Sequence, residues 1–244
     1  MRKISTVFSS AFVLVSALAP AASAGSLQVS PTTVEITTPA ATATLSLNNH
    51  GATPLKAQVR VMRWSLVNGE EHLEPATDVV ASPPMVAIQP KTDYTVRIVR
   101  VAKQAPATEE TYRLLVDEIP DPSSLVPGTI GIAFRYSVPV FFYPPGALAP
   151  ALTWAVERRD GKVYVSATNT GNRHVRIADL QIADANGTKA PVFKGLAGYV
   201  LARSSKSWVA PGNLQKTAGN GPLLVTAQGD TGPINANALP TAPR

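Results

Sequence analysis

GTIGIAFRYSVPVFFY, residues 128–143, is the most apolar stretch beyond the N-terminal segment and alternates on a strict two-residue step. Ile130, Ile132, Phe134, Tyr136, Val138 and Val140 fall on one face; Gly131, Ala133, Arg135, Ser137, Pro139 and Phe141 fall on the other. Successive side chains of an extended chain point to opposite sides, so this is a β-strand with one row of large side chains. Two readings of that row stand side by side. The composition suits a buried central strand of a sandwich. Pro139 points instead to an edge, because proline brings no N–H to a ladder. A long apolar edge is an aggregation hazard, and a retained one suits pairing with another chain.

The same period runs on both sides of this strand. Leu45 and Leu47 alternate with Ser46 and Asn48, and Val59 and Val61 with Gln58, Arg60 and Met62. Val96 and Ile98 alternate with Thr95 and Arg97, while Tyr112, Leu114 and Val116 share a face opposite Arg113 and Leu115. Between them stand Asn48-Asn49-His50-Gly51, Asn68-Gly69, Pro83-Pro84 and Pro90-Lys91, residues that turn the chain or block a ladder. No 3.6-residue period is sustained between Gly25 and Tyr143, so helices there are at most short. Pro144-Pro145-Gly146 and Pro150 then interrupt the pattern, and two adjacent prolines make residues 144–150 an interdomain hinge of limited freedom. Strands resume at 152–158, 163–169, 175–182 and 223–227, with extended candidates around Tyr199-Val200-Leu201 and Ser207-Trp208-Val209. The pattern predicts an all-β chain of two β-sandwiches, residues 25–143 and 151–230. Residues 231–244 mix Gly, Pro, Asn and Ala with almost no bulky side chain, which predicts a disordered tail.

The N-terminus reads as a secretory signal peptide, residues 1–24. Arg2 and Lys3 supply the positive start, residues 4–18 the apolar stretch, and Ala22-Ser23-Ala24 the small residues of a cleavage site. No later run is long and apolar enough to insert the mature chain in a membrane. The sequence has no cysteine, so its cores must hold without covalent staples. Past Ala24, 20 basic residues face 16 acidic ones, and the longest basic run is Arg158-Arg159, which does not support nucleic-acid binding. His50, His72 and His174 have no metal-ligand spacing, and no cofactor is implied. Catalytic parts are missing too. There is no Gly-x-Ser-x-Gly, and Asp117-Glu118, the adjacent carboxylates ending an apolar strand, point to opposite faces.

At this point the residues resemble the periplasmic pilus chaperones of the chaperone-usher pathway. The resemblance is carried by Ala81-Ser82-Pro83-Pro84, Ile88-Gln89-Pro90, Thr95-Val96-Arg97-Ile98, Tyr112-Arg113-Leu114-Leu115 leading to Glu118-Ile119-Pro120, and Val140-Phe141-Phe142-Tyr143. Leu27-Gln28-Val29-Ser30-Pro31 and the Leu45–Asn49 to Trp64 hairpin add to it, with weaker matches at Asn169-Thr170-Gly171-Asn172, His174-Val175-Arg176, Gly198-Tyr199-Val200-Leu201 and Trp208. It implies two immunoglobulin-like β-sandwich domains in a boomerang arrangement. It further implies a periplasmic protein that holds fimbrial (pilus) subunits by donor-strand complementation and delivers them to an outer-membrane usher. Ile130, Ile132, Phe134 and Tyr136 are then the donor row, with the opposite row facing the chaperone's own sheet. Typical members anchor the subunit's C-terminal carboxylate with basic residues at positions that fall near Thr33 and Val140 here, neither charged. The departure looks like the archaic, spore-coat-protein-like branch, and Arg97, Arg100 and Arg135 are the replacement candidates. The resemblance also implies an interdomain salt-bridge network through Glu118, with Asp230 as the second acid, although the matching arginine falls at Pro144. The competing class is a non-enzymatic immunoglobulin-like adhesion or binding protein of the cell envelope.

Overall fold

The computed structural model describes residues 26–121, 132–184, 187, 189–211 and 223–241. The expected signal peptide and Ile130 lie outside them. Among the described residues all regular structure is β, in three sheets.

The first ten strands make a sandwich. One layer contains β1 (Leu27–Ser30), β3 (Thr42–Asn49), β8 (Asp93–Arg100) and β6 (Val79–Ser82), hydrogen-bonded in the order β1-β3-β8-β6. The other contains β2 (Val34–Thr37), β10 (Arg135–Tyr143), β9 (Glu110–Ile119), β4 (Leu55–Val67) and β5 (Glu70–Pro75) in the order β2-β10-β9-β4-β5, with β7 (Met85–Ile88) also on β4. The inward rows are the sequence's apolar positions: Leu45, Leu47, Val96 and Ile98 from one layer, and Val59, Leu114, Val116, Val140 and Phe142 from the other. Asn68 and Gly69 have φ of 53° and 84°, the left-handed pair needed by a tight hairpin turn between β4 and β5. Pro31 stands between β1 and β2, where the chain passes from one layer to the other.

The remaining strands form one seven-stranded sheet in the order β14-β13-β16-β17-β11-β12-β15. They are β11 (Leu152–Arg159), β12 (Lys162–Asn169), β13 (Val175–Ala183), β14 (Lys189–Val200), β15 (Ser205–Val209), β16 (Leu223–Gly229) and β17 (Gly232–Thr241). Trp154, Val165, Ile177, Leu180, Ile182, Val225 and Trp208 pack inside it. β17 corrects the expectation of a disordered tail for residues 232–241, while residues 242–244 lie outside the described residues. The strand is antiparallel to β16 from Gly232 to Ala238 and parallel to β11 from Ala238 to Thr241. Each part of the strand is thus ordered by backbone hydrogen bonds to one neighbour, and its small residues fit because Ile234, Ala236 and Ala238 face the core.

The linker is held rather than loose. Leu148 O accepts the Asn172 N–H at 3.2 Å, and Ala151 O accepts the Thr170 N–H at 2.9 Å. A Cβ on Gly171 would stand 2.7 Å from Pro150 Cα and 2.9 Å from Ala151 N, so the linker backbone lies directly on this glycine.

Candidate functional site

β10 has two different halves. Its C-terminal half, Val140 to Tyr143, lies between β2 and β9, parallel to the first and antiparallel to the second. From Arg135 to Pro139 it pairs with β9 alone, and among the described residues its other edge is open. Both sequence readings are therefore half right: the strand is central at one end and an edge at the other. The Glu118 N–H donates to Phe134 O at 2.9 Å. Alternation along an antiparallel ladder then turns the N–H groups of Tyr136 and Val138 toward β9 and those of Arg135 and Ser137 outward. Pro139 shares the outward parity, so its missing N–H costs the β9 ladder nothing.

The row expected to face outward is divided in the same way. Val138, Val140 and Phe142 are buried in the first sandwich's core. Tyr136 is half-buried: it packs against that core and its hydroxyl donates to Leu27 O, so in the free protein its own sandwich covers part of it, unlike Ile132 and Phe134. Ile132 and Phe134 precede the strand and are 70% and 39% exposed.

The opposite row faces the second domain instead of the protein's own core. Ser137 and Pro139 line a cleft of about 470 Å³ whose other walls include Thr33, Arg113, Arg176, Leu196, Tyr199 and Asp230. Phe141 is fully buried with Trp64, Tyr199 and Leu201, a small core shared by the two domains. Its ring stacks on His174 with centroids 3.5 Å apart, and Trp64 meets Tyr199 edge-on at 5.4 Å. Glu109 closes the joint. It accepts the His174 backbone N–H at 2.8 Å, and its other oxygen meets His174 Nδ1 at 2.8 Å. Arg173 reaches Glu35 at 2.5 Å while lying over the Tyr143 ring, and Lys206 faces Glu71 at 3.7 Å.

The charged residues singled out in the sequence sit in scattered places. Arg97 is on the exposed outer face of the β1-β3-β8-β6 layer, away from β10. Arg100 is buried and holds both Glu110 oxygens, at 2.8 and 2.9 Å, so its guanidinium is already committed. Arg135 pairs with Asp117 across the β9–β10 ladder. Among the described residues Glu118, the expected interdomain acid, has no partner from the second domain. It pairs with Ala57 and lies nine residues, about 30 Å of strand, from the joint at Glu109. Asp230 does line the cleft, where it accepts the backbone N–H and guanidinium of Arg176 at 2.8 and 3.0 Å.

Arg113, His174 and Glu109 are the residues that the sequence reading missed as a site. Arg113 lies 3.7 Å above the Trp64 ring and 5.4 Å from that of Tyr199, and among the described residues its carboxylate partner is Glu71 at 3.5 Å. Burial pulls its guanidinium below the usual range, with Glu71 opposing. A charge on the wet face of a strand looks solvated until a second domain is known to cover that face.

Two stacked-strand domains joined by a buried aromatic cluster, with a half-open strand at the cleft between them, define a two-domain β-sandwich protein. A family model described as pili and flagellar-assembly chaperone, PapD N-terminal domain, matches residues 26–148, and the chain belongs to that family of chaperones. No curated protein matches the chain. Among solved structures, it resembles a chain of the CsuC–CsuE chaperone–tip adhesion subunit pre-assembly complex from the archaic chaperone-usher Csu pili of Acinetobacter baumannii. That match has a TM-score of 0.69 at 20% identity, covering 88% of this chain and 99% of the other. The SafB chaperone complex with the SafA pilin of Salmonella enterica gives a TM-score of 0.62 at 17% identity, covering 88% and 98%. The YadV chaperone gives 0.61 at 20% identity, covering 87% and 98%. These likenesses establish the fold as two immunoglobulin-like β-sandwich domains.

Proposed function

We propose that the protein is a non-enzymatic periplasmic chaperone that captures fimbrial subunits by lending them a strand and passes them to an outer-membrane usher. The observation that carries this reading is the open edge of β10 from Arg135 to Pro139, preceded by the exposed apolar Ile132 and Phe134. An incomplete subunit sandwich needs backbone partners for its own open edge and apolar side chains for its uncovered core, and this segment supplies both. The membership in the chaperone family and the chaperone–subunit complexes among its structural relatives support the reading.

In this reading Arg113 anchors the subunit's terminal carboxylate. It stands in the cleft beside the open edge and is held against Trp64, and its desolvation penalty would be relieved by an incoming anion. Arg97, Arg100 and Arg135 are less suited: the first is on another face, and the other two are bound by Glu110 and Asp117 more closely than Arg113, whose contact with Glu71 is a marginal 3.5 Å. Coexpression with a fimbrial subunit encoded beside the gene should yield an equimolar soluble complex. Phe134→Asp should abolish that complex with little change in thermal midpoint, since an unpaired carboxylate would have to enter the subunit's core. A collapsed melt would return Phe134 to the protein's own core. Normal capture with a normal melt would sink the donor-strand reading.

A further inference from the structure

We infer that Asp117 is a positioning residue that keeps the free half of β10 extended and in register before any partner arrives. β10 loses its β2 neighbour below Val140, so its first residues are held by one ladder only. Strand ends with a single neighbour open more readily than the sheet's interior. Asp117 sits on β9, directly opposite Arg135, and both of its oxygens are occupied. Oδ2 accepts Arg60 Nε at 3.2 Å and Nη2 at 2.6 Å, and Oδ1 accepts Arg135 Nε. Arg60 comes from β4, which is flanked by β5 and β7 on one side and β9 on the other, so its guanidinium is fixed from the middle of the sheet. Arg135 is at the strand's free end. Asp117 therefore ties the end of β10 that has one neighbour to an interior strand, through a carboxylate 15% exposed between guanidinium groups that are 41% and 62% exposed.

The functional consequence rests on the strand-donation reading. A strand that is already extended loses less conformational freedom when a subunit pairs with it. Arg135 thus contributes by holding the edge straight, which is a different task from binding the subunit's carboxylate.

Hydrogen exchange of the purified protein tests this without any partner. Asp117→Asn should speed exchange of the Tyr136 and Val138 amides, which face β9, by about fivefold or more. Amides of β3 and β8 should be unaffected and the thermal midpoint only modestly lowered. Arg135→Gln should act in the same way, and the double variant should be no worse than either single one. Subunit capture by Asp117→Asn should slow by a similar factor. Unchanged exchange at Tyr136 and Val138, or acceleration spread through β4 and β9, overturns the inference. So does normal capture speed in a variant whose exchange has risen. If the unaltered protein captures no subunit at all, the chaperone reading fails while the exchange measurements still decide the role of Asp117.

Discussion

Asn49 and Asn169 do the same work in the two domains, and each does it with a fully engaged side chain. Asn169 Nδ2 donates to the carbonyls of Arg173, Val200 and Leu201, and its Oδ1 accepts the N–H groups of Ala151 and Gly171. Asn49 Nδ2 donates to Thr53 O and Ile88 O, and its Oδ1 accepts the Gly51 N–H. Each thus ends a strand by satisfying backbone groups that the ladder leaves behind. Removing such a side chain strands several buried groups, so Asn169→Ala should cost about 2–3 kcal/mol in urea unfolding. Asp117 makes a second residue-level prediction. Burial acts to raise its pKa, but hydrogen bonds from Arg135 and Arg60 outweigh this and hold it below the usual carboxylate range. A depressed pKa gives stability that is complete above the ordinary aspartate value of about 3.9 and is lost as pH falls through the lower folded value. Stability curves of wild type and Asp117→Asn should therefore run parallel near neutrality and converge in acid. Curves that stay parallel down to pH 2 would remove the ion cluster from the stability account.

At the scale of the element, β10 joins three surroundings in nine residues: an open edge, a sandwich core and a domain interface. Its outward N–H groups give a direct test. Ser137→Pro removes one outward donor without touching the β9 ladder, because Ser137 shares the parity of Pro139. The variant should fold with a modestly lower midpoint yet bind subunit far more weakly, as read by titration of the purified complex. Unimpaired binding would mean that backbone pairing on this edge is not used. The sequence showed the period and the proline but not which half of the strand was open. That depends on β2 stopping its pairing at Val140, a matter of where the chain changes layers after Pro31.

Across the whole molecule, the joint behaves as a third core. Trp64, Phe141, Tyr199 and Leu201 come from both domains, and Arg113 caps Trp64 within it. Glu109 and His174 close its side. Neither domain can unfold without exposing these rings, so a single calorimetric transition is expected for the pair. Phe141→Ala should destabilise by about 3–5 kcal/mol and split that transition in two. Two separate transitions already present in the unaltered protein would show that the interface contributes little. The cleft lies beside this joint, with walls that include Ser137 from one domain and Asp230 from the other.

The sequence by itself determined that the chain is all-β, where β3, β4, β8, β9 and β10 of the first sandwich lie, and which of their rows are apolar, because alternation is a local property of an extended chain. Its family motifs pointed to the chaperone class for the same local reason. It could not place Glu118 or Arg113, since a strand's parity tells that a side chain faces outward but not what covers it. Glu118 lay far from the second domain, and Arg113 lay beneath it. Nor did it foresee β17, which is ordered by pairing first with β16 and then with β11, strands distant from its last residues in sequence. The tertiary structure alone decided these points, because burial, charge pairing and an open edge are relations between strands distant in sequence.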